Sequence, residues 1–256
     1  MMIFDEYFKT EENKMNEKAK KVYEVLLTPI ICNKKNSKII IQDGIIRSSQ
    51  LYYGSADEDM SDFSIGFYKI IYKDLLSNSN GDILSEKGYP IDKEFMGDTM
   101  HSFNSLANII LNDASKKVRS PIEKWPPELV EYYSRYHCLA NFWIIPMRHG
   151  RKSAKLSRYD SVDYYLTRVK EHLINDAEGY FEKFISWEHF LESHYISSYV
   201  LKKRPLLMYE TKNKNNCIIE LKRINECWEL RANELANKHT DELYKYFSNI
   251  GLIQNI

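Results

Sequence analysis

The sequence predicts a mainly α-helical fold, a single helical domain carrying one small β-hairpin near residues 38–47. Three observations predict it. Apolar residues recur at helical spacing through most of the chain, as in Phe63, Phe67, Ile70, Ile71 and Leu75. The strongest strand signal is "KIIIQDGIIR", where Asp43-Gly44 separates two short β-branched runs, the chemistry of a tight hairpin turn. The composition supplies a core, with 43% hydrophobic and 13% aromatic residues in 256, including 19 tyrosines.

Each element has its own warrant. Residues 11–27 read as a charged helix that stops before Pro29, because the residue ahead of a proline is pushed out of the α region. "GDTMHSFNSLANIILNDA" reads as a helix capped by Asp98, with Met100, Phe103, Leu106, Ala107, Ile110 and Leu111 on one face. Its other stripe is polar: His101, Ser105, Asn108 and Asn112. A helix restarts through "WPPELVEYYSRYHCLA", with Pro127 in its first turn and Val130, Tyr133 and His137 on one face. Asp160 and Asp163 suit a helix start, since paired acids there cap the chain and meet its dipole. "DAEGYFEKFISWEHFLESHYISSYVL" reads as one or two aromatic-rich helices, with His172, His189 and His194 partly exposed.

"ETKNKNNC" reads as a polar linker, so the chain divides into a main helical domain, 1–209, and a C-terminal amphipathic helical extension, 210–256. In that extension Leu221, Ile224, Trp228 and Leu235 keep near-heptad spacing, interrupted by Arg231. Two readings stay open: a helix folded onto its own domain, or a seam for a homodimer or another partner.

Charge and cysteines narrow the function classes. With 36 basic and 36 acidic residues there is no global field toward nucleic acid or anionic lipid. Four scattered cysteines without a C-x-x-C pair argue against a disulfide scaffold or zinc ribbon. No apolar run approaches the roughly 18–20 residues of a membrane span. The expectation is a cytoplasmic, reduced protein with no membrane partner, no metal and no cofactor.

Chemistry-bearing residues concentrate between Arg135 and Leu173. His137 and Asn141 are candidate catalytic residues, joined by Asp98 and His101. A histidine there is able to serve as a general base, or it is a core residue whose ring is satisfied by a polar neighbour, with Asn141 satisfying chain carbonyls ahead of Pro146. The acid-free loop after Met147 holds Arg148, Arg151, Lys152, Lys155 and Arg158, cations suited to phosphate oxygens of a nucleic acid or nucleotide. No H-E-x-x-H, G-x-S-x-G or Walker pattern is present.

In order, "GDTMHSF", "YHCLANFWIIP", a basic loop and "DSVDYYL" resemble an uncharacterised bacterial family with D-T-x-x-S-F, H-x-x-G-N-F-x-x-x-P and D-x-x-D-L-T-L motifs. The likeness spans residues 20–200, with a "LYY" segment at Tyr52 and Tyr53. The matching positions are Asp98, Ser102, Phe103, His137, Asn141, Pro146, Asp160 and Asp163. Ala140 stands where the family usually has glycine, and Tyr164 where it has leucine. The resemblance implies a mobile genetic element and phage–host conflict setting, and no reaction. A fainter likeness to HNH nucleases lacks their D-H strand and second asparagine. The chain is therefore expected to be a non-enzymatic protein-interaction protein. The alternative is a degenerate HNH-like enzyme or binder of nucleic acid or nucleotide, using loop 148–158 with His137 and Asn141.

Overall fold

A computed structural model describes residues 16–32, 39–48, 58–76, 95–111, 121–146, 162–175, 179–202 and 214–254. The fold is mainly α, as the periodicities predict. Helix α1, Glu17–Leu27, is opened by Asn16, whose Oδ1 accepts from the Ala19 amide at 2.8 Å. It ends at Thr28 beside Pro29, and buries Val22, Val25 and Leu26.

The expected hairpin is present. Strands β2 (Ile40–Gln42) and β3 (Ile45–Ser48) pair antiparallel across Asp43 and Gly44, whose φ angles are 55° and 71°. Positive φ at both turn residues is what a two-residue loop needs to match strand twist, and glycine and aspartate tolerate it. Strand β1, Ile30–Cys32, adds to the other side of β3 in parallel, giving the order β1-β3-β2.

After the 3-10 turn Glu58–Met60, Ser61 caps α2, Asp62–Ile71, and α3 follows at Lys73–Leu76. Gly66 lies on α2 where the C-terminal helix Thr240–Asn249 crosses it, and any Cβ there would collide with the Tyr246 ring. The second sheet is a pair the periodicity conceals: β4, Phe95–Thr99, runs antiparallel to β5, Phe142–Pro146, with Asp98 opposite Trp143. Gly97 sits on β4, where a Cβ would meet the backbone of Asp59 and the Tyr68 ring.

This pair corrects two expectations. Asp98 does not cap a helix; it belongs to a strand, and α4, Phe103–Ile110, begins behind Ser102. The apolar stripe of Met100, Phe103, Leu106, Ala107 and Ile110 is buried as expected, with its first member in the connection. The helix through Pro127, α5, stops at Arg135, so His137 lies beyond it and Asn141 occupies the 3-10 turn Leu139–Asn141.

Helix α6 spans Val162–Asn175 and holds Asp163 as its second residue; Asp160 lies outside the described residues. Helices α7 (Trp187–Ser193) and α8 (Ser197–Lys202) follow. Then α9 runs unbroken over Lys214–Lys238 and α10 over Thr240–Asn249. The last residues of "ETKNKNNC" are thus helix and not linker. Helix α9 is the spine, packing against α1, α4, α5, α8 and the Leu139–Asn141 turn. Leu221, Ile224, Trp228 and Leu235 are each at most 1% exposed within the single chain, so this stripe is spent on the protein's own core. Among the described residues no helix is long and apolar enough to cross a membrane.

Candidate functional site

The structure brings three of the four candidate catalytic residues to the β4–β5 end of the core, and gives each a bonded role. Asn141 is fully buried, and its amide is oriented by its neighbours. Oδ1 meets donors: the His101 backbone amide at 3.0 Å and the Trp228 indole at 2.9 Å. Nδ2 meets acceptors: the carbonyls of Tyr136 at 2.7 Å and His101 at 3.1 Å. Asn141 therefore satisfies a chain carbonyl at the exit of α5, as its position before Pro146 suggests. The Tyr132 hydroxyl donates to the same His101 carbonyl at 2.9 Å and its ring stacks on Trp228. Asp98 lies beside this knot, its Oδ1 accepting from the next amide, Thr99, at 2.8 Å.

Arg231, read from the sequence as an interruption, is 1% exposed and holds the knot's floor. Nε donates to the His194 carbonyl at 3.0 Å, and Nη1 to those of Ala140 at 2.9 Å, Phe142 at 2.7 Å and Leu139 at 3.3 Å. Nη2 donates to the Tyr72 hydroxyl at 3.1 Å. A buried guanidinium is tolerable because its fork reaches neutral oxygens on several sides. His194, expected to be partly exposed, is fully buried, and its Nδ1 donates to the Phe190 carbonyl at 2.8 Å. Burial pushes His101 and His194 down to about 3, and the Arg231 cation adds to the effect. Neither ring takes up a proton near neutral pH.

His137 is mostly buried, and a polar neighbour satisfies its ring. Its side chain is 21% exposed, and Nδ1 bonds Glu58 Oε2 at 3.1 Å. Burial would raise the Glu58 carboxyl, yet the hydrogen bond and charge of His137 bring it below 4.5. Glu58 Oε1 accepts the Cys32 amide at 3.5 Å, and the His137 carbonyl accepts the Ile30 amide at 2.7 Å. His137 and Glu58 thus fasten β1 to the body. Burial raises the nearby Cys32 thiol to about 12, which removes it as a nucleophile.

The basic loop, with Arg148, Arg151, Lys152, Lys155 and Arg158, lies outside the described residues. Among the described residues no three His, Cys, Asp or Glu side chains group as a metal site. No family model, curated protein or solved structure matches the chain.

Two surface features were not legible from the sequence. The first is the outer face of the three-stranded sheet, where register places Ile31, Arg47 and Ile40 side by side. Ile31 is 41% and Ile40 43% exposed, and Ile41 at the rim is 45% exposed. The second is a cleft of about 380 Å³ between the α2–α3 corner, α7 and the α9–α10 corner. Tyr195 lies on its wall at φ 59°, a left-handed conformation unusual for a tyrosine.

Proposed function

We propose that the chain is a protein-interaction protein whose three-stranded sheet receives an extended segment of a protein partner along β2. The observation that carries this reading is the exposed isoleucine row on a sheet whose outer strand has no second neighbour among the described residues. β2 reads Ile40-Ile41-Gln42, without the lysine, proline or inward charge that blunts an edge. An added strand would satisfy its outward amides and carbonyls, and alternate residues would set specificity. Its outward face would meet Ile40 and, one strand further in, the Arg47 guanidinium, favouring an apolar segment with one acid.

The base of the sheet supports such a role because it is already ordered. Ile30 and Ile46 are core residues, and the Ile46 amide donates to the Pro29 carbonyl at 2.7 Å. Docking onto a held sheet loses less ordering entropy than docking onto a loose hairpin. The interaction surface is then the hairpin, and not the Leu221–Leu235 stripe. Under the conflict setting that the motif resemblance implies, the partner is a phage or host protein.

The nucleotide reading, with His137 and Asn141 beneath the basic loop, has weaker support: Asn141 is sealed and His137 faces Glu58. A photo-crosslinking residue at Gln42, with Ile185 as the control position, tests the proposal in cells. Capture specific to position 42 is expected, and the purified captured protein should lose at least about tenfold in affinity for Ile40→Asp, in line with loss of a central apolar contact. Unchanged affinity with intact far-UV circular dichroism would rule out the sheet as the interface.

A further inference from the structure

The cleft beside Tyr195 holds two imidazoles whose protons are placed by the chain itself. The Tyr195 hydroxyl has one hydrogen and two close neighbours: the Ile71 carbonyl at 2.6 Å and His239 Nε2 at 2.7 Å. A carbonyl cannot donate, so Tyr195 gives its hydrogen to Ile71 and accepts from His239. His239 therefore carries its proton on Nε2 and presents a bare Nδ1. Burial lowers its proton affinity below that of an ordinary imidazole. His189 has the same tautomer, with the other nitrogen engaged. Its Nδ1 accepts the Ile185 amide at 3.3 Å, so its proton resides on Nε2.

One cleft thus offers an imidazole acceptor and an imidazole donor on different walls. Its mouth carries one exposed charge of each sign, Glu192 on α7 and Lys238 at the end of α9. Lys238 Nζ sits 4.9 Å from the Tyr195 ring centroid, a cation held over a π face. Asp74 and Lys183, also on the wall, add a second pair of opposite sign. The lining is balanced in charge, and donors and acceptors are both displayed.

Tyr195 is the left-handed residue just past the end of α7, where the Ile196 amide donates to the Leu191 carbonyl at 3.0 Å and the Tyr195 amide to that of Glu192 at 3.1 Å. A non-glycine residue in the left-handed region costs about 1–2 kcal/mol and persists where surrounding bonds over-determine it. Here those bonds aim Tyr195 at Ile71 and His239, which fixes the His239 tautomer. The volume, about 380 Å³, falls in the range of small-molecule clefts.

We propose that this cleft binds a zwitterionic α-amino acid, its ammonium donating to His239 Nδ1 and its carboxylate accepting from His189 Nε2–H, with Glu192 and Lys238 closing over the opposite charges. A net-neutral cleft that displays both signs complements a net-neutral ligand with separated charges. A dianion such as a sugar phosphate would leave Glu192 and Asp74 opposing it. The proposal is independent of the sheet as a partner surface, since the two lie on different elements.

The full chain, labelled with ¹⁵N-histidine, gives the test. The imidazole ¹⁵N shifts should first show the Nε2–H tautomer at both His239 and His189. The free L-amino acids are then titrated singly, with ribose 5-phosphate as the anionic control. At least one amino acid should move both imidazole signals, and its N-acetyl and methyl-ester derivatives should each bind at least about tenfold more weakly, as for loss of one charged hydrogen bond. The exposed variants Glu192→Gln and Lys238→Gln should weaken binding without altering the melting temperature. The Nδ1–H tautomer at either histidine, no response to any amino acid at about tenfold the millimolar range of weak ligands, equal binding of the blocked derivatives, preferential binding of ribose 5-phosphate, or undiminished binding in both variants would each overturn the proposal.

Discussion

His137 and Asn141 stand four residues apart and meet opposite surroundings. Asn141 is sealed, with both amide atoms committed to partners from Tyr136, His101 and Trp228. His137 stands at the rim of the core, partly open, with a carboxylate as partner and a strand of the small sheet on its carbonyl. The chain turns between them: α5 ends at Arg135, and the Leu139–Asn141 turn drives Asn141 inward to start β5. Stability is therefore expected to follow burial and the number of bonds left unmade, and not proximity to a functional-looking motif.

The strongest way to break the contrast is at the floor of the knot. Arg231→Met keeps the stem and removes the guanidinium that reaches the carbonyls of His194, Ala140 and Phe142, and that of Leu139 beside the Phe142 amide. Urea denaturation should show a loss on the order of 4 kcal/mol, as expected for breaking a buried charged network. A loss below about 1 kcal/mol would mean that water replaces the guanidinium easily. Next comes Asn141→Asp, which keeps shape but exchanges the Nδ2 donor for a charge facing two carbonyls. A loss of about 3 kcal/mol is expected from the same experiment.

The pH dependence sharpens the comparison further. His101 and His194 sit near 6.5 when unfolded and about 3 when folded, so the unfolded chain binds more protons between those limits. Stability should rise with pH through that window and level off above 6.5 on their account. The slope approaches about 1.4 kcal/mol per pH unit for each ring. Denaturation midpoints across the window check this, and His194→Gln should flatten the slope. A slope unchanged in that variant would assign the effect elsewhere.

The smallest effect belongs to the rim. Glu58 is depressed below 4.5 in the folded chain, so its contribution is present above 4.5 and lost as pH falls through its folded value. Glu58→Gln should cost about 0.5–1 kcal/mol at neutral pH, the scale of a partly exposed ion pair. Amide exchange should quicken in β1 and leave β5 untouched. If β5 quickens equally, the rim and the knot are one cooperative unit.

The sequence was informative where structure depends on neighbours along the chain. The Asp43-Gly44 turn, the stop before Pro29 and the start at Pro127 all follow from local backbone chemistry. β5 escaped because Phe142, Trp143, Ile144 and Ile145 are all buried, so the strand loses the alternation that marks it, and β4 is seen only through its pairing with β5. Phe142–Pro146 is only a short apolar run, which periodicity cannot separate from a buried helix turn. The candidates were partly legible: His101, Asn141 and Asp98 do gather, through the pairing of two motifs 40 residues apart. Arg231 was illegible, because its partners lie 37 to 159 residues away. The same is true of Tyr195 and His239, 44 residues apart and joined by a side-chain hydrogen bond.

The position of Arg231 near the far end of the described chain has a consequence for biosynthesis. The ribosome delivers Tyr72, then the Leu139–Phe142 turn, then His194, and only afterwards α9 with the arginine that binds them all. Until α9 emerges, these groups lack the guanidinium, and water must stand in for it where β5 closes on the core. The nascent chain must therefore carry its aromatic segments uncovered through most of translation, which is when chaperones meet hydrophobic surface. Slowing synthesis ahead of residue 214 would lengthen that exposure, whereas speeding it would shorten it.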